Sequence, residues 1–94
     1  MTVSVFIRHK VKDFAAWKKM YDEGSQMRRD GGTLGDSVHY DPDDPNMAII
    51  YLQFADVSAA KAVAARLDSD EFRSMSKTHG IHLDTLEVWI GEGV

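Results

Sequence analysis

Val3, Val5, Ile7 and His9 alternate with Ser4, Phe6, Arg8 and Lys10 near the start of the chain, and a period of two is the signature of a β-strand. After Asp13 the period changes. Phe14, Trp17, Tyr21 and Gly24 recur at intervals of three and four, with Met20 and Met27 beside them. That spacing predicts one amphipathic helix, capped by Asp13 and stopped at Gly31-Gly32. Ser37 to Tyr40 and Met47 to Phe54 read as two strands of a hairpin, joined through the turn-forming run Asp41-Pro42-Asp43-Asp44-Pro45-Asn46. Ala60, Val63, Ala64 and Leu67 then predict a helix capped by Asp56. Ser69-Asp70-Glu71 opens a short extra helix with Phe72, Met75 and His79 on one stripe and Gly80 as its stop. His82 to Ile90 closes the chain as a last strand.

The resulting order, β-α-β-β-α-β, predicts an α+β domain of ferredoxin-like type spanning residues 1–94, with a four-stranded antiparallel sheet and its helices on one face. Phe6, Ile50, Leu52, Phe54, Val88 and Ile90 suggest strands that are apolar on both faces. Two helices cover one face only. Leaving the other in water costs on the order of 25 cal/mol per Å², so a homodimer with facing sheets is expected.

Composition narrows the partners. Eleven basic and fifteen acidic residues give a net charge of −4, and no stripe of Lys and Arg offers itself to phosphates, so nucleic acid is not an expected partner. Arg28 and Arg29 are an isolated pair near the first helix end and read as structural or solvated. The chain has no cysteine, which removes disulfides and thiolate metal sites. No window approaches the roughly 20 apolar residues of a membrane span. No membrane partner is expected, and the cytoplasm is the default location.

Several segments together resemble a known family. Arg8-His9-Lys10-Val11 leads into Asp13-Phe14-Ala15-Ala16-Trp17-Lys18, the hairpin carries Asp43-Asp44-Pro45-Asn46, and Ser69-Asp70-Glu71-Phe72-Arg73 precedes the last strand. In these the chain resembles the dimeric α+β barrel superfamily, nearest to antibiotic biosynthesis monooxygenase-like domains, over almost its whole length. The resemblance implies a pocket inside each protomer between sheet and helices, where aromatic side chains hold flat substrates. It also implies that a monooxygenase without cofactor is one possible activity. Such an enzyme helps deprotonate a phenolic or anthrone-like substrate, and the carbanion reduces oxygen directly.

By position, His9, Trp17, Tyr21 and Tyr51 are candidates to share that pocket, with Trp89 on the last strand as a further member. His9 is the base candidate, because imidazole titrates near neutrality. It also reads as a satisfied histidine at a strand end, and Trp17, Tyr21 and Trp89 read equally as core packing. His79, His82 and Asp84, with His39 or His9, make no recognised metal-ligand spacing, and no metal is expected. Haem-degrading members of the superfamily use a Trp before, and an axial His after, a segment like Asp68-Ser69-Asp70-Glu71-Phe72. Here Arg66 and Ser76 stand at those positions and His79 lies one turn further on, so haem is not expected either. No GxSxG, HExxH, GxGxxG or phosphate loop is present. Two readings follow: a cofactor-independent monooxygenase acting on an aromatic or polyketide-like small molecule, or a non-catalytic metabolite-binding or stress-associated protein of the same fold.

Overall fold

A computed structural model describes residues 2–94. The element order is β1 (Val3–Val11), α1 (Phe14–Glu23), α2 (Ser25–Asp30), β2 (Gly35–Asp41), β3 (Asp44–Phe54), α3 (Val57–Arg66), α4 (Asp70–His79) and β4 (Ile81–Glu92). The four strands form one antiparallel sheet in the order β2-β3-β1-β4. The expected α+β, ferredoxin-like architecture is therefore present, with each expected helical connection built from two helices.

Alternation in β1 sorts its side chains cleanly. Val3, Val5, Ile7, His9 and Val11 are buried, while Phe6 and Lys10 are exposed. The β1–β3 register sets Val5 against Leu52, Ile7 against Ile50 and His9 against Ala48. On the other side, Val5 faces Ile90 and Ile7 faces Val88. Directly opposed residues share a sheet face, so these side chains form one apolar layer, and Trp17 of α1 and Ala60 of α3 close over it.

That register sorts the apolar strand residues between the two faces of the sheet. Of the six residues behind the expectation of two apolar faces, Ile50, Leu52, Phe54, Val88 and Ile90 lie on the helix side, and Phe6 alone lies on the outer side. The outer face is apolar too, with Tyr51 and Trp89 beside Phe6. Phe6 and Trp89 are 44% and 52% exposed, and Phe6 packs on Tyr51 with ring centres 5.5 Å apart. Phase decides which residue lies where: with a period of two, a shift by one residue moves a side chain to the opposite face.

The helices begin where the caps were expected. The carboxylates of Asp13 and Asp56 accept from the amides of Ala16 and Ala59, and the Ser69 hydroxyl accepts from the amide of Phe72. α4 is not a short appendage, since at ten residues it equals α3. It ends at Gly80 in the left-handed conformation, φ 73°, which glycine adopts without the Cβ penalty. The first helix does not run unbroken to Gly31. It stops at Gly24 and restarts as α2, and that break shapes the site.

Candidate functional site

β1 carries His9 to the helix side of the sheet, where it is only 3% exposed. Two local features make room for the ring. Its β3 neighbour is Ala48, a single methyl group. On the β4 side the register shifts between Arg8, opposite Glu87, and Lys10, opposite His82. That irregularity leaves His9 without a partner there, and the Thr85 hydroxyl inserts instead, accepting from the amide of Lys10 at 2.8 Å and donating to the carbonyl of His82 at 2.6 Å. Bulges of this kind re-aim side chains at functional sites.

Trp17, 2% exposed on the inner stripe of α1, meets His9 edge to face with ring centres 5.4 Å apart. Tyr21 follows one turn on, 5.2 Å from Trp17. Burial holds the pKa of His9 below its ordinary 6.5, and the backbone of Lys10 and of His9 itself offsets this only in part. The ring is therefore neutral at pH 7. Its Nδ1 is sealed from water and has no hydrogen-bond partner among the described residues. A buried polar atom left unpaired costs about 1–3 kcal/mol.

The break at Gly24 brings in Arg28, which the sequence reading gave as structural or solvated. Seven positions along one continuous helix separate two side chains by about 10 Å, and the turn at Gly24 closes that gap between Tyr21 and Arg28. The Arg28 guanidinium lies 3.5 Å from the centre of the Tyr21 ring and donates to the Tyr21 carbonyl at 2.7 Å. Gly24 permits the return, because a Cβ there would stand 3.1 Å from Arg28 Nη1. The Tyr21 hydroxyl donates to Asp36 of β2 at 2.7 Å, and Arg28 lies 3.8 Å from the same carboxylate. Burial, reinforced by that hydrogen bond to Asp36, pushes the Tyr21 phenol well above its ordinary range. Tyr21 is thus a fixed hydrogen-bond donor at neutral pH.

Between the sheet and the helices these residues enclose a cavity of about 370 Å³, within the range of small-molecule sites. Its walls are mainly apolar, with Ile50 and Leu52 from β3, Met20 from α1, and Phe72 and Met75 from α4. His9, Trp17 and Tyr21 line it together, as the sequence grouped them. Tyr51 and Trp89 do not. Tyr51 lies opposite Phe6 and hydrogen-bonds with Ser4, and Trp89 flanks Phe6 from β4, so both stand on the outer face with the sheet between them and His9. The physical reason is again phase, since each is one residue removed from an inward neighbour, Ile50 or Val88.

Arg28 and Arg66 also line the cavity. The spacing of Trp17, Tyr21, Gly24 and Arg28 at helical intervals was the available signal for Arg28. Arg66, named in the sequence only as standing where haem-degrading proteins carry a Trp, reaches the site from the last turn of α3. Ser76 is buried, and its hydroxyl has no partner among the described residues, but it lies outside the cavity lining. Among the described residues no three side chains of metal-binding type converge, and no helix is long and apolar enough to cross a membrane.

No family profile and no curated protein matches the sequence. Solved structures do match the fold. A protein of Bordetella bronchiseptica named for antibiotic biosynthesis monooxygenases superposes with a TM-score of 0.73 at 13% identity, over 99% of this chain and 97% of its own. SnoaB, a cofactor-independent oxygenase from Streptomyces nogalater, superposes with a TM-score of 0.70 at 14% identity, over 99% and 93%. A Nitrosomonas europaea protein, also named for antibiotic biosynthesis monooxygenases, gives 0.69 at 17%, over 99% and 90%. The chain has the fold of these proteins, as the sequence resemblance implied.

Proposed function

We propose that this chain binds a flat aromatic or polyketide-like molecule in the cavity between sheet and helices and oxygenates it without a cofactor, with His9 as proton acceptor and Trp17 and Tyr21 against the substrate. One observation carries the reading: a buried imidazole, held neutral by that burial, lies on the wall of a mainly apolar cavity of substrate size. A neutral imidazole can accept a proton at pH 7, whereas an imidazolium cannot.

The chemistry balances with oxygen as the only co-substrate. A CH2 carbon between aromatic rings gives its proton to His9, and the carbanion passes one electron to O2. The radical pair then joins through a new C–O bond, and the imidazolium returns its proton to the peroxide. Loss of water leaves a ketone, so each O2 ends as one ketone oxygen and one water. The apolar walls lower the local dielectric and strengthen interactions with developing charge.

Oxygen uptake with quinols and anthrones, compared between wild type and His9→Ala, tests the reading. Uptake that vanishes in the variant supports it. Uptake equal in both proteins, or absent from both, removes it. Absence from both, with binding retained, would favour a non-catalytic metabolite-binding role. His9 Nδ1 has no orienting partner among the described residues, which fits that second reading, since catalytic imidazoles are ordinarily held by a partner.

The reading includes a second copy of the chain over the outer sheet face. Phe6, Trp89 and Tyr51 form a contiguous aromatic strip there, with Arg8 and Glu87 paired beside it. A self-complementary two-fold contact buries such a strip on both partners at once.

A further inference from the structure

The cavity is apolar inside and charged at its rim. Met27, Gly31, Arg66 and Glu71 are its exposed lining residues, and the two arginines there are not equivalent. Arg28 is engaged, stacked on Tyr21, bonded to its carbonyl and close to Asp36. Arg66 enters none of the ion pairs among the described residues. Its Nη2 lies 3.4 Å from the position a Cβ on Gly31 would take, so the guanidinium reaches from the end of α3 to the end of α2. At the far end the His9 ring forms part of the wall.

We infer that the cavity selects a flat aromatic carboxylate, with its anionic group held at the rim by Arg66 and its ring system extending inward between Trp17 and Leu52 toward His9. This rests on the proposal that the cavity is a ligand site, and it adds the substrate class. A guanidinium without a protein partner presents paired N–H donors in the fork geometry of a carboxylate. Glu71 shares the rim and enters no ion pair among the described residues. It opposes any second negative charge, which limits the ligand to a monoanion. Asp36 is already occupied by the Tyr21 hydroxyl and by Arg28.

Calorimetric titration with 3-hydroxy-2-naphthoic acid, its methyl ester and a naphthylmethylamine tests the inference on wild type, Arg66→Gln, Arg66→Lys and Glu71→Gln. In wild type the acid should bind about tenfold more tightly than the ester, the scale of one partly exposed charge-assisted contact. Arg66→Gln should abolish that preference and leave ester binding unchanged, Arg66→Lys should restore part of it, and Glu71→Gln should tighten the acid severalfold. Equal binding of acid and ester by wild type overturns the inference, as does tighter binding of the amine. Equal weakening of acid and ester by Arg66→Gln also overturns it, because that would mark a structural role. If no probe binds, both the inference and the ligand site fall. Acid preference without oxygen uptake leaves the inference standing and removes the oxygenase, whereas uptake on neutral anthrones without acid preference does the reverse.

Discussion

Trp17 presents its indole to the imidazole of His9 with the ring planes at 78°, and both rings are almost wholly withdrawn from water. The indole therefore reports the protonation of its neighbour. Burial places the native pKa of His9 below the 6.5 of the unfolded chain. With Trp89→Phe to remove the second indole, the pH-dependent change in Trp17 emission should have its midpoint below 6.5. A midpoint at or above 6.5 would show that burial does not control this histidine.

The same shift predicts a stability trend. Below pH 6.5 the unfolded chain takes up a proton at His9 while the native chain does not, so unfolding is favoured as pH falls. The loss begins at 6.5 and levels off once pH passes below the native pKa. Urea unfolding of wild type and His9→Gln across this interval should show a wild-type loss that the variant lacks. Parallel curves would exclude His9 as its source.

Gly80 combines a left-handed backbone with a crowded neighbour. A Cβ there would stand 2.9 Å from the Cβ of Lys12, and the Gly80 carbonyl accepts from the amide of Lys12 at 2.8 Å. Gly80→Ala should cost about 2 kcal/mol through strain and displacement of that bond. Chemical denaturation measures it, and a cost near zero would mean that the two loops separate freely.

Asp56 caps α3 through the amide of Ala59 at 2.8 Å. Asp56→Ala should lower stability by about 1 kcal/mol without altering ligand binding, because Asp56 lies outside the cavity lining. Loss of binding in a folded Asp56→Ala protein would show that the α3 end, and Arg66 with it, depends on the cap.

Phe6 and Trp89 sit side by side on the outer face. Introducing charge with Phe6→Glu should convert a dimer into a folded monomer, as read by sedimentation and circular dichroism. Wild type sedimenting as a monomer at micromolar concentration would remove the dimer proposal outright.

Local chemistry made most of the fold legible. Asp13, Asp56 and Ser69 each start a helix because their side chains satisfy amides only three residues away, and Gly80 ends one through its own backbone freedom. The alternation of Val3 to His9 likewise placed His9 on the inner face. The break at Gly24 was obscured because Trp17, Tyr21 and Gly24 keep helical spacing up to it, and only the return of Arg28 over Tyr21 gives the interruption its purpose.

The sequence by itself determined the order of strands and helical connections and the inward turn of His9, since both follow from periodicities and caps that act over a few residues. Tertiary structure alone decided which strand positions share a face, how the β4 irregularity opens space beside His9, and that Arg28 and Arg66 meet the same cavity. Tyr51 and Trp89 show the difference in kind. Their faces are fixed by pairing with Phe6 across the sheet, between residues far apart in the chain, and a register slip of one residue reverses the answer.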